Sequence, residues 1–157
     1  MIYLGAVTSG SKEDIWCDEC SKCLFVYIIL SPFIEDTKLK NIFGENLFEK
    51  ESLYYTLMQL IGKEPSKPFD CVGTYEEVNY CICKKIYNLY DEEKTMPVLL
   101  NKYLNEVLGG RIEKAKGITE IYEEELLGSF EANNLNEDFE KLLKKALKGV
   151  RNGRVNK

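Results

Sequence analysis

Apolar positions along the chain recur mostly at three- and four-residue steps, the spacing that lines up one face of an α-helix. Leu53, Leu57, Leu60 and Ile61 follow it between Glu49 and Gly62, as do Val78, Cys81, Ile82 and Leu89 between Tyr75 and Tyr90. Leu100, Leu104 and Leu108 follow it before Gly109-Gly110. Polar residues at the ends of these spans agree. Thr74-Tyr75-Glu76-Glu77 has the form of a capping box, in which the threonine oxygen accepts the Glu77 amide and the glutamate reaches back. Asp36 or Thr37 can cap a short helix ending before Gly44, which would form a helical hairpin with the Glu49–Ile61 segment, and Thr95 can cap the helix through Leu108. Ile118 to Leu127 reads as a short acidic helix. The last helix, capped by Asn134 or Asn136, runs to about Lys148 and ends at Gly149. It is expected to turn Phe139, Leu142, Leu143, Ala146 and Leu147 inwards, with acidic residues in its first turn and lysines in its last.

Two stretches depart from this period. Ile2 to Val7 has the composition of a short strand. Cys23 to Leu30 is apolar on every side, so periodicity alone does not separate a buried helix from a buried strand; Ser21-Lys22 before it and Pro32 after it favour a helix. The expected fold class is mainly α, with a short N-terminal strand as its β element. Residues 1–149 form one helical domain and 150–157 a disordered basic tail.

Composition narrows the function classes. The chain has 157 residues, 45% of them apolar, enough for one core. A net charge of −5 argues against a broad nucleic-acid or anionic-membrane surface. The longest apolar run, Leu24 to Leu30, falls well short of the roughly 20 residues of a membrane span, and polar residues stand where a signal peptide would continue its apolar core. A soluble, cytoplasmic protein is expected, with neither membrane nor nucleic acid as partner. Gly5 and Gly10 invite comparison with a phosphate loop, but Ser11-Lys12 reverses the required order and Glu13-Asp14 would repel phosphate.

The distinctive chemistry is Cys17-Asp18-Glu19-Cys20-Ser21-Lys22-Cys23, three of six cysteines at a repeated two-residue spacing. Such spacing lets thiolates converge on one ion, and a helix beginning near Cys20 puts Cys20 and Cys23 on one face. A structural zinc site takes four ligands. The sequence contains no His, so the fourth must be a distant cysteine or a carboxylate, and Cys71 in Lys67-Pro68-Phe69-Asp70-Cys71-Val72-Gly73 is the first choice. A redox dithiol or iron-sulfur centre, disulfides and ordinary thiols are the alternatives, although a third thiol in the triplet is one more than a dithiol uses. Cys81 reads as a small core residue and Cys83, off the apolar stripe, as a partly exposed thiol. Lys22 either offsets thiolate charge or is solvated. The lack of His removes Ser-His-Asp triads, Cys-His proteases and His-Glu-x-x-His metalloproteases. Glu76 and Asp70 are acid–base candidates, with solvent exposure as the plainer account; Glu77 is explained by its cap.

Two segments together resemble a known family. Trp16-Cys17-Asp18-Glu19-Cys20-Ser21-Lys22-Cys23-Leu24-Phe25, with Pro32-Phe33 and Ile42-Phe43-Gly44, and then Lys67-Pro68-Phe69-Asp70-Cys71-Val72-Gly73-Thr74, are similar to the carboxy-terminal part of the UDP-N-acetylmuramoyl-L-alanyl-L-glutamate epimerases. The triplet alone is also similar to the zinc knuckle of 7-cyano-7-deazaguanine synthases. The resemblance covers roughly residues 15–90. It implies ATP- and magnesium-dependent inversion of the terminal glutamate of a peptidoglycan precursor, a UDP-muropeptide, through carboxylate activation that acidifies its α-proton. It also implies a larger enzyme with an ATP pyrophosphatase-like portion whose Ser-Gly-Gly-x-Asp-Ser loop this chain lacks, so the isolated chain is expected to be inactive, as an excised domain or a short relative. Metal ligands Cys17, Cys20, Cys23 and Cys71 and substrate-binding candidates Lys22, Lys67, Asp70 and Glu76 follow as expectations. In the family pattern a further cysteine precedes the triplet, near Ser9-Gly10 here, which leaves Cys71 or an acidic residue to complete the site. The competing expectation is a zinc-stabilised helical interaction module, using the face around Phe69 and the tyrosines, without catalysis.

Overall fold

The structure, a computed structural model, describes residues 16–66, 72–128 and 135–153. Among these the chain forms seven α-helices and no strand: α1 (Ser21–Leu30), α2 (Asp36–Phe43), α3 (Tyr54–Leu60), α4 (Tyr75–Asp91), α5 (Val98–Glu106), α6 (Ile112–Gly128) and α7 (Glu137–Gly153). The strand expected over Ile2–Val7 lies outside the described residues. No described helix is long and apolar enough to cross a membrane. The chain divides into two compact units, Met1–Thr119 and Glu120–Lys157.

The first unit is built around α1. Its apolar sequence forms a helix, as expected, and buries Cys23, Leu24, Tyr27 and Ile28 on one face. Helices α2, α3 and α4 all pack against it. The helix ends at Ser31, whose hydroxyl donates to the Ile28 carbonyl at 2.8 Å, and Pro32 follows. The expected hairpin is replaced by a different arrangement. Residues Leu47–Glu49 and Glu51–Leu53 form two 3₁₀ turns, so the regular helix begins only at Tyr54, and α2 and α3 each pack on α1.

Caps were legible where a side chain makes them. Thr74 accepts the Glu77 amide at 3.1 Å while the Glu77 carboxylate accepts the Thr74 amide at 2.7 Å, a complete capping box. Asn136 caps α7, accepting the Asp138 amide at 3.1 Å. The other assignments need correction. Helix α2 has no side-chain cap; Asp36 instead accepts from Lys85 Nζ at 2.5 Å, giving that buried ammonium of α4 its partner. Thr95 does not cap α5, which starts at Val98 behind Pro97, its first amide donating to the Glu49 carboxylate at 3.3 Å. Helix α6 begins at Ile112, well before Ile118, because Ala115 and Thr119 are buried and hold its first turns to the core.

Cys83 is fully buried, not partly exposed. Helix α4 packs against α1 and α5, so residues off its main stripe are also covered. The Cys83 thiol lies 3.6 Å from the Tyr103 hydroxyl, which donates to Asn79 Oδ1 at 2.7 Å. Asn79 Nδ2 donates in turn to the Tyr75 carbonyl at 2.8 Å and the Ile61 carbonyl at 3.3 Å. This chain of polar groups joins α4 to α5 and to the end of α3. Cys81 is buried as expected.

In the second unit, α7 runs beyond the expected stop at Gly149 to Gly153. Phe139 and Leu142 do not face inwards: they are 66% and 63% exposed. The three- and four-residue spacing identified the apolar face of α7 but not whether anything covers it.

Thr74→Ala is expected to lower unfolding free energy in urea by about 1 kcal/mol, whereas Thr95→Ala should stay within about 0.5 kcal/mol of the parent. Burial pushes Cys83 up to about 11, against the hydrogen bond to Tyr103, and Cys81 up to about 12, from a usual value of 9.0. The unfolded chain therefore releases these protons first. The stabilisation is complete below pH 9 and falls as pH rises from 9 towards 11 and beyond. Denaturant melts across that range should show the decline, and Cys83→Ala should flatten it.

Candidate metal centre

Residues 16–23 bring three thiols together at the amino end of α1. Cys20 is extended, with φ −96° and ψ 164°, and precedes the first helical residue, so Cys23 falls in the first turn. Asp18 takes a left-handed conformation, φ 55°, which turns the chain back so that Cys17 meets the other two. The Cys23 sulfur lies 3.4 Å from that of Cys17 and 3.5 Å from that of Cys20, and all three lie within 4.8 Å of one another. Tetrahedral zinc–thiolate bonds near 2.3 Å imply sulfur separations of about 3.8 Å, so the three donors fit a single ion. The five described cysteines are free thiols. No described carboxylate joins the three sulfurs.

The surroundings treat the thiols unequally. Burial raises Cys17, but hydrogen bonds from the Glu19 amide, the Cys20 and Cys23 thiols and the Cys20 amide outweigh it, and its pKa falls below the usual value. Cys23 is pushed up to about 12, by burial first and then by its two sulfur neighbours, although the Asp18 amide opposes this. The arrangement puts a sulfur whose pKa is lowered in contact with one whose pKa is raised. A divalent cation at the three sulfurs would displace the retained protons.

The turn is held from behind. Trp16 stacks on Phe43 of α2 with ring centroids 4.7 Å apart, and Phe43 meets Tyr27 of α1 at 5.1 Å. The Tyr27 hydroxyl donates to Asn46 at 2.8 Å. Burial, with Glu45 nearby, lifts the Asp18 carboxyl to about 6, against the attraction of Lys50, and its Oδ1 atom is buried without a hydrogen-bond partner. Lys50 stands 2.9 Å from Glu45 and 3.8 Å from Glu19, tying the loop after α2 to the cysteine turn. Nothing in the local spacing singles out Lys50. Its place is set by the 3₁₀ turns that flank it.

Cys17, Cys20 and Cys23 are thus brought together as the sequence suggested. Lys22 is half-buried in the first turn of α1, and Glu76 is exposed in the first turn of α4. Lys67, Asp70 and Cys71 lie outside the described residues. The chain directly after them is placed: Val72 is buried, and Gly73 stands against Phe25 of α1. A Cβ on Gly73 would come within 3.0 Å of the Phe25 ring and 2.3 Å of the Glu77 carboxylate. Sequence reasoning gave Gly73 no role; a side chain there would crowd Phe25 and displace the Glu77 carboxylate from its capping position.

The description "MurL C-terminal domain" matches residues 6–107, which contain the three cysteines and helices α1 to α5. The chain belongs to this family. Among its curated relatives, a protein of a Micromonospora species is 39% identical over 65 residues, 41% of this chain and 14% of the relative. One of Salinispora tropica is 38% identical over 65 residues, with the same shares. One of Xanthomonas oryzae pv. oryzae is 42% identical over 62 residues, 40% of this chain and 14% of the relative. Each is named UDP-N-acetyl-alpha-D-muramoyl-L-alanyl-L-glutamate epimerase. The matched stretch spans about a seventh of the length of these relatives. No solved structure matches the chain. The MurL C-terminal match ends at residue 107, so all of α6 and α7 lies beyond it.

If the three thiols hold a structural ion, protein purified without chelator should carry about one zinc per chain, and chelation should release it with loss of helicity. Cys20→Ser should abolish stoichiometric metal and lower the melting temperature, as elemental analysis and circular dichroism would show. Metal-free protein that stays folded, with all six thiols titratable, would contradict a structural centre.

Proposed function

We propose that the chain is the carboxy-terminal, metal-pinned part of a cytoplasmic epimerase that inverts the terminal L-Glu of UDP-MurNAc-L-Ala-L-Glu in peptidoglycan precursor synthesis. The observation that carries this reading is membership of the MurL C-terminal domain family across the cysteine turn and helices α1 to α5. The name shared by its curated relatives supports the substrate.

Within this reading Cys17, Cys20 and Cys23 hold zinc, with Cys71 as fourth ligand. Support for Cys71 is indirect: Val72 is buried and Gly73 touches α1 two residues beyond Cys23, so the chain after Cys71 is tied to the helix that carries the site. The ion's work is structural, fixing the start of α1 and the loop before α4. Four thiolates around a divalent ion leave a charge of −2, which backbone amides and the nearby lysines Lys22 and Lys50 would offset.

Inversion at an α-carbon removes one proton and returns another to the opposite face, with no change of oxidation state. ATP and magnesium, bound by an ATP pyrophosphatase-like portion of the larger enzyme, would activate a substrate carboxylate and so acidify that proton. From this chain, Lys22 and Lys67 are candidates to hold anionic groups of the UDP-muropeptide, and Asp70 and Glu76 to accept hydrogen bonds from it. None is assigned as the base. The isolated chain therefore should not turn over.

The test is exchange at the glutamate α-carbon in deuterated water, followed by NMR. The full-length protein with ATP and magnesium is expected to incorporate deuterium and yield the D-Glu product, and this chain alone to incorporate none. Absence of exchange in the full-length protein would remove the epimerase reading and leave a zinc-stabilised interaction module in its place.

A further inference from the structure

The second unit carries an apolar surface and a charge distribution that the epimerase reading does not use. On α7, Phe139 and Leu142 are 66% and 63% exposed; on α6, Ile121 is 58% exposed; between the two helices, Leu135 is 47% exposed. Charge is unevenly divided. Residues 120–128 hold Glu120, Glu123, Glu124 and Glu125 with no basic residue, whereas α7 holds five basic residues against three acidic ones. Lys141 and Lys144 of α7 are engaged along their own helix, by Asp138 at 3.7 Å and Glu140 at 2.7 Å. Lys145 and Lys148 are exposed and carry no ion pair among the described residues, and neither do exposed Glu124 and Glu125.

Placement links these charges to the apolar residues. Glu124 and Glu125 lie three and four residues after Ile121, on the same side of α6, and Lys145 lies three residues after Leu142 on α7. Each helix thus presents an apolar patch beside an uncompensated charge of one sign, negative on α6 and positive on α7. A partner matching both must be positive against α6 and negative against α7. A second copy of this chain, turned about a two-fold axis, offers that combination, because α7 of each copy can face residues 120–128 of the other and every contact is made twice.

We propose that residues 120–128 and helix α7 form a self-association surface through which two copies pair, using Ile121, Phe139 and Leu142, with Glu124 and Glu125 of each copy facing Lys145 and Lys148 of the other. An anionic lipid surface would attract the lysines, but the four glutamates of residues 120–125 oppose it. Both helices lie wholly beyond the family match, which ends at residue 107, so their partner is sought outside the shared fold. At 17 residues, α7 is about 25 Å long, enough to form one side of an extended helical interface.

Sedimentation velocity of the whole chain tests this. The expected mass is twice the 18.1 kDa protomer, and Phe139→Glu with Leu142→Glu should reduce it to one protomer with the same circular dichroism. A charge-exchange pair tests the geometry independently of the apolar residues. Glu124→Lys with Glu125→Lys makes both helices positive in one variant, and Lys145→Glu with Lys148→Glu makes both negative in another. Each alone should lose the dimer, and an equimolar mixture should regain it as a heterodimer. A parent chain that stays monomeric at about 100 μM, a mixture that stays monomeric, or monomeric protein that sediments with anionic vesicles would each overturn the proposal.

Discussion

Three sulfur atoms lie within 4.8 Å of one another where α1 begins, and thiolates so close repel unless protons or a cation stand between them. The folded chain prepares for that charge. The Glu19 and Cys20 amides point at Cys17 and the Asp18 amide at Cys23. Cys23 lies in the first helical turn, where unpaired amides favour negative charge. Nearby, Asp18, Glu19 and Glu45 add negative charge, which Lys50 partly offsets. A cation at the three sulfurs would relieve the repulsion among them.

The helix that carries the site is positioned by the rest of the first unit. Helix α1 is apolar almost throughout, but it is fully buried along one face, Cys23, Leu24, Tyr27 and Ile28, and only partly covered elsewhere. Aromatic contacts from Trp16, Phe43, Tyr27 and Phe48 fasten its beginning to α2 and the 3₁₀ turns. Helix α4 packs along it, and the Lys85–Asp36 pair ties α4 to the start of α2. The capping box at Thr74 and the close approach of Gly73 to Phe25 fix the direction from which the chain enters α4. Val72 and Gly73, at the entry to α4, are thereby held against the helix bearing the three thiols.

The two units differ in how they use amphipathic sequence. In the first, most apolar positions of the helices are covered and even residues off the main stripe, such as Cys83 on α4, are enclosed, while Phe33, Tyr55 and Tyr90 stay exposed. In the second, Phe139 and Leu142 of α7 keep much of their surface. Exposed apolar surface beside charge of one sign is a feature of association surfaces more than of solvated helix faces. The family match ends at residue 107, inside the first unit, and contains the cysteine turn and the helices that support it.

Local sequence determined what depends on near neighbours. Helical spacing placed most helices, the Thr74–Glu77 pair gave its capping box, and the two-residue cysteine spacing brought Cys17, Cys20 and Cys23 to one point, because a turn and one helical step suffice. Residues 15–90 also carried the family resemblance. Tertiary structure decided what depends on elements distant in sequence. Asp36 holds Lys85 and caps nothing, Cys83 is enclosed because α5 packs across α4, Gly73 has little room for a side chain beside Phe25 and Glu77, and Lys50 reaches the cysteine turn through the fold of the 3₁₀ segment. The apolar face of α7 was legible from its period, but its exposure was not, since periodicity records which side of a helix is apolar and contains no information about what lies opposite.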